Sequence, residues 1–80
     1  MDNDKKLMME GLLAQKRRRL DQLQIKADRC VSEINVRTFS SDGIRGIDIK
    51  AARQAVDELE AAISEWNETT EEIKRIKTNL

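Results

Sequence analysis

Leu13, Leu20, Ala27 and Ile34 stand seven residues apart, and so do Ile49, Val56 and Ile63, with Thr70 continuing the column. Met9, Leu23 and Cys30 fill the complementary positions of the first stretch, with Lys16 as its polar exception. Ala52, Leu59, Trp66, Ile73 and Leu80 form the partner column of the second. Apolar residues that alternate at spacings of three and four share one stripe of an α-helix. Sustained for about four heptads each, these columns are a and d seams, and such a seam needs another helix to cover it.

Between the two stretches lies Thr38-Phe39-Ser40-Ser41-Asp42-Gly43-Ile44-Arg45-Gly46-Ile47, which carries two of the three glycines and no heptad. A Ser-Ser-Asp-Gly run is a turn signal. The pattern therefore predicts helix 1 over about 4–37, a connector over about 38–47 and helix 2 over about 48–78. Asp48 suits the N-cap of helix 2, and Lys74, Arg75 and Lys77 suit its negative end. Asp2, Asn3 and Asp4 suit the positive end of helix 1, whose interior Gly11 is a weak point.

A short connector makes consecutive helices antiparallel neighbours. The expected fold is all-α, an antiparallel two-helix hairpin of coiled-coil type in a single domain, assembling into a helical bundle. Pairing residues so that i + j = 86 matches Ile34 with Ala52, Cys30 with Val56, Ala27 with Leu59, Leu23 with Ile63, Leu20 with Trp66 and Leu13 with Ile73. It also sets the polar Lys16 against the polar Thr70. Shifting by a heptad would bury Lys16 against Ile63 or face it with Lys77, so the 86 register is preferred. Charge agrees: residues 1–37 carry nine basic and six acidic side chains, and residues 38–80 carry six and nine. Helices of opposite sign select each other as partners.

The residue inventory narrows the function. The 80-residue chain has no histidine, no proline, one cysteine and three glycines that fit no phosphate-binding loop. Thiolate metal sites and histidine-dependent catalysis are therefore excluded. The charged residues at core positions are Lys16, Lys77 and Arg37, without a carboxylate among them to run acid–base chemistry. The expectation is a protein that is not an enzyme and needs no cofactor and no metal. No stretch approaches the ~18 apolar residues of a membrane span. An acidic start with no apolar core behind it, together with a lone Cys30, leads us to expect a cytoplasmic chain.

Two features suggest partners. Leu12, Ala55, Ala62, Thr69 and Ile76 occupy the g column beside the seam, which an isolated helix pair would fill with charge. Read this way, the apolar face of helix 2 is wider than one helix can cover, and this column is the expected partner-binding surface of a homodimer or a helical protein partner. Ile25, Val31 and Val36 add apolar surface on helix 1. The expected function is a non-catalytic interaction module, an adaptor, assembly chaperone or regulatory subunit acting by helix packing.

The alternative is an RNA-binding hairpin dimer presenting Arg17, Arg18, Lys26 and Arg29 to phosphates. Against it, four successive residues such as Lys16-Arg17-Arg18-Arg19 point in four directions around a helix, glutamates face them, and no surface aromatic offers a stacking platform. Cys30 and Trp66 fall on the seams and read as core. Phe39, Ile44, Ile47 and Ile49 make the connector apolar, and the reading preferred for them is a plug at the bundle end.

Overall fold

The computed structural model describes residues 2–80, with side chains from Asn3 onward, so Met1 and the Asp2 carboxylate of the expected acidic helix start lie outside the described residues. Two helices, α1 (Asp2–Thr38) and α2 (Ile49–Thr78), run antiparallel along each other and are joined by a connector containing one 3₁₀ turn, Gly43–Gly46. The rod measures 66 × 14 × 13 Å between Cα extremes. Among the described residues, no helix is long and apolar enough to cross a membrane.

The hairpin is closed by a few local devices. Thr38 Oγ1 donates to the Ile34 carbonyl (2.7 Å), giving the end of α1 a side-chain donor. The chain turns at Ser40–Gly43, where Ser40 Oγ accepts from the Asp42 amide and Gly43 takes a left-handed φ of +70°. The amide of Asp48 then donates to the Arg37 carbonyl (2.9 Å), clasping the start of α2 to the end of α1. Asp48 is the N-cap of α2, its carboxylate accepting from the Ala51 amide (3.1 Å), as its place in the sequence implies.

Inter-helix links place the register where the layer match puts it. Lys16 pairs with Glu72, Arg19 with Glu65, and the backbone of Arg37 with that of Asp48. These links bracket i + j = 86. Lys16 is thus answered by an acidic side chain, Glu72, and not by Thr70 as expected.

The seam itself differs in one respect. On α1, Leu13, Leu23 and Cys30 are buried and Leu20, Ala27 and Ile34 half-buried, as the heptads imply. On α2, the column through Ala52, Leu59, Trp66 and Ile73 faces α1, but its companion is Ala55–Ala62–Thr69–Ile76. Val56 and Ile63, expected in the core opposite Cys30 and Leu23, are 45 % and 50 % exposed, while Ala62 is 3 % exposed. The helix is rotated by about one position from the expected orientation. The physical reason is close approach: small Ala52, Ala55 and Ala62 let α2 lie near α1, and Leu23, 2 % exposed, fills the space they leave. Val or Ile at those levels would hold the helices apart.

The connector also departs from expectation. Phe39 and Ile44 are 78 % and 86 % exposed and Ile47 and Ile49 stand open as well, so they plug nothing within the hairpin. A ten-residue loop spanning two adjacent helix ends has no third element to pack under.

Candidate functional site

The hairpin has two broad sides of different chemistry. One side is lined by Gln22, Ile25, Lys26, Arg29 and Glu33 of α1 and by Ala51, Gln54 and Glu58 of α2, with Ile25 an exposed apolar side chain among the polar ones, and it continues past Gln15, Arg19, Glu65 and Glu68. Both inter-helix ion pairs edge it. Arg19 grips Glu65 with two guanidinium nitrogens, Nη2 standing 2.9 Å from Oε1. That hydrogen bond, aided by the charges of Arg19 and Lys26, holds the Glu65 carboxyl below its ordinary range and raises Arg19 above its own. A bidentate fork of this kind fixes orientation as well as distance. Arg37, hydrogen-bonded to Glu33, is likewise raised.

The opposite side holds a shallow apolar trough lined by Ala27, Val31, Leu59, Ala62, Ile63 and Trp66, with Gln24 and Asp28 at its margin. Val56 lies one heptad from Ile63 on the same column, and Ile49 and Thr70 extend it. Val31, Val56, Ile63 and Ile49 are exposed, and Leu59 and Trp66 only half-covered. Among the described residues no inter-helix ion pair crosses this side. Its charges sit outboard: Arg17, Asp21 and Asp28 on α1, in step with Gln24 and Val31, and Arg53, Glu60 and Lys74 on α2, in step with Val56, Ile63 and Thr70.

The residues singled out in the sequence are distributed unevenly over these surfaces. Ala55, Ala62 and Thr69 are buried and Ile76 is half-buried, so the premise that this column lacks an intramolecular partner is corrected: α1 covers it. Leu12 remains partly exposed but sits in step with Arg19 and Lys26, on the charged side. The unpartnered column is the adjacent one, Ile49–Val56–Ile63–Thr70. Its apolar character is legible in the sequence, but hydrophobicity alone places it in the seam.

The four cations of the RNA alternative are not brought together. Arg17 edges the apolar side, Lys26 and Arg29 line the charged side, and Arg18, between those columns, points away from α2. Lys26 is close enough to Glu65 to act on its charge. Cys30 is a buried free thiol. At one end of the rod Val36 and Phe39 line a shallow depression, and Ile44 of the same connector is exposed. Among the described residues, no group of three or more carboxylate or thiol side chains is placed to hold a metal ion. No protein-family model, no curated protein and no solved structure matches the chain.

Proposed function

We propose that this protein is a non-catalytic interaction module that binds a helical protein partner along the Val31–Val56–Ile63 side of the hairpin. The observation that carries the reading is the asymmetry of the rod: one long side carries both inter-helix ion pairs, with the exposed Ile25 and Leu12 set singly among its charges, and the other leaves a column of branched apolar side chains, Ile49, Val56 and Ile63 with Val31 beside them, in water. Water-exposed apolar surface that runs along two helices is removed most favourably by packing another helix or pair of helices into it.

A photo-crosslinking amino acid at Ile63, introduced in cells making the chain, tests this. A discrete protein adduct is expected from position 63 and not from Glu58 on the charged side. A smear of weak products, or equal products from both positions, would remove the apolar side as the binding surface.

A further inference from the structure

The exposed apolar residues of this side are arranged symmetrically about one level of the rod. Val31 and Val56 share that level: their numbers sum to 87, within one of the 86 that the Lys16–Glu72 and Arg19–Glu65 pairs bracket. Ile49 and Ile63 stand seven residues to either side of Val56, and Gln24 and Thr38 seven to either side of Val31. A two-fold axis through that level, perpendicular to the rod and in the plane of this side, lays α1 over a partner's α1 and α2 over its α2, both antiparallel. In an isologous contact every pairing off the axis occurs twice.

We propose that the partner on this side is a second copy of the chain, packed face to face about the axis through Val31 and Val56. This rests on the interaction-module reading and names its occupant. Val56 meets the partner's Val56, Val31 the partner's Val31 and Ile49 the partner's Ile63, so the exposed apolar column covers itself from Ile49 to Ile63, and the polar Gln24 falls on the partner's Thr38. Inboard, Leu59 comes within one residue of the level of the partner's Ala52, and Ile34 of the partner's Ala27, large against small. The rim is complementary in charge: Arg53 comes within one residue of the partner's Glu60, on both flanks, and Asp28 within one of the partner's Asn35. Arg53 and Glu60 are exposed and have no ion pair among the described residues. Like charges approach only where Asp28, Arg53 and Asp57 near their own copies, about 9 Å along the rod or across the helix spacing, a separation that salt screens. Arg17 and Asp21 fall beyond the partner's helix ends, beside a connector that carries Asp42 and Arg45, one charge of each sign. The open ends of the two rods project free, and this side is polar there apart from Leu7.

Neighbouring registers lose one or both matches. Moving the axis half a heptad so that Val56 meets the partner's Ile63 sets Glu60 on the partner's Glu60 and Asp28 on the partner's Asp28. Half a heptad further, Val56 falls on the partner's Thr70 and Arg53 on the partner's Lys74. Moved half a heptad the other way, Arg53 meets the partner's Arg53. The parallel arrangement, with the axis along the rod, lays α1 over the partner's α2 at equal levels. Val31 again meets the partner's Val56, but Ile63 falls on the partner's Gln24, Ile49 on the partner's Thr38 and Thr70 on the partner's Arg17. Its charges are mixed. Glu10 meets the partner's Lys77, while Asp28 stands beside the partner's Glu60. At an offset of five residues Asp28 and Arg53 attract, and Arg17 with Lys74 and Asp21 with Glu60 repel. Apolar matching decides between the two, since only the antiparallel copy sets the isoleucines on each other. Flanking charge then fixes the register. The formal net charge of zero leaves two copies free of long-range repulsion.

Sedimentation equilibrium should show a dimer at micromolar concentration. Glu60→Arg should weaken it about tenfold by gathering cations on both flanks, and Arg53→Glu together with Glu60→Arg should restore it. In the parallel arrangement Glu60→Arg would instead strengthen association, by relieving the approach to the partner's Asp28. In a Cys30→Ala background, spin labels at the exposed Asp57, beside the axis, should lie within about 20 Å of each other, given helix spacings of 8–10 Å plus label length. Labels at the exposed Glu71 should lie about 45 Å apart, from a rise of 1.5 Å per residue. A monomer at high micromolar concentration, equal distances at the two positions, a stronger or unchanged Glu60→Arg dimer, or no restoration by the swap would each overturn the proposal. If the chain is monomeric while position 63 still crosslinks a different protein, the second-copy proposal fails and the interaction-module reading stands. If position 63 yields no discrete adduct, both fail.

Discussion

Gly43 and Gly46 hold the connector for different reasons, and substitutions separate them. At Gly43 the backbone is left-handed with open space around it, so a side chain there meets strain and no neighbour. Gly43→Val should cost about 1–2 kcal/mol, the steric penalty of that conformation. At Gly46 the conformation is ordinary, but an added Cβ would run into the Ser40 side chain, 2.7 Å from its Cβ. Gly46→Ala should therefore destabilise by about 1–3 kcal/mol, and Ser40→Gly should relieve much of that cost. Gly11 has neither restraint: nothing lies within reach of a Cβ, and it interrupts an exposed helix interior. Gly11→Ala should raise stability by about 1 kcal/mol. Urea midpoints at constant slope check all three, and a destabilising Gly11→Ala would contradict a solvent-facing position for that residue. The Arg19–Glu65 fork makes a further prediction. Because the Glu65 carboxyl is held below its usual range when folded, its contribution is present above the ordinary carboxylate range. It is lost as pH falls through the lowered folded value. Wild type should therefore lose more stability between pH 7 and pH 3 than Glu65→Gln, and high salt should shrink the difference since the pair is exposed. Equal acid sensitivity in the two proteins would mean the fork contributes nothing.

Helix α2 shows at the level of an element what the sequence conveys and what it leaves open. Its ends, its cap at Asp48 and its register against α1 follow from residue spacing, because capping and heptad phase are local properties. Its rotation does not follow. The column Ala52–Leu59–Trp66–Ile73 is flanked on one side by Ala55–Ala62–Thr69–Ile76 and on the other by Ile49–Val56–Ile63–Thr70, and both flanks are apolar. Transfer free energy alone favours burying Ile and Val. Packing reverses the choice, since alanines against Leu23 and Cys30 allow a separation that Ile63 and Val56 would prevent, and interaxial distance is not written in a heptad pattern. The same one-position rotation moves the candidate binding column. Two neighbouring substitutions test it. Ala62→Arg places a charge in the intramolecular seam and should destabilise the hairpin by several kcal/mol, an overpacked and unpaired buried cation. Ile63→Arg places the charge on the open side and should leave helicity and the monomer melt within about 0.5 kcal/mol of wild type while weakening association. Circular dichroism with sedimentation on both variants separates the effects. The opposite result, with Ile63→Arg unfolding the chain and Ala62→Arg neutral, would restore the orientation expected from hydrophobicity.

At the scale of the whole molecule, a 66 Å rod with zero net charge combines a charged side, an apolar side and an apolar end. The antiparallel topology itself is checked by spin labels at exposed Arg18 and Glu68. Within a hairpin of this register they should lie within about 20 Å of each other even in the monomer, whereas a single continuous helix would hold them about 75 Å apart. Charge distribution leads to the remaining prediction. A protein that neutralises phosphates along a nucleic acid does so with cations gathered on one face, and its affinity falls with a log–log salt slope of about −0.7 to −0.9 per contact. In this hairpin Arg17, Arg18, Lys26 and Arg29 are dispersed over three directions of α1. Lys16 and Arg19 are already engaged by Glu72 and Glu65, and Trp66 is half-covered in the seam and not free to stack on a base. Each arrangement lowers the number of phosphates one strand could meet at once. Fluorescence anisotropy with mixed cellular RNA at ~50 mM salt, where electrostatic attraction is exaggerated, should therefore show no submicromolar binding. Association along the apolar side should instead change little between ~50 and ~200 mM salt, because area removed from water dominates it. Submicromolar RNA binding that collapses over the same interval, and that disappears in an Arg17→Ala, Arg18→Ala double variant, would show the cations acting together despite their separation on the helix, and would displace the apolar side as the working surface of the molecule.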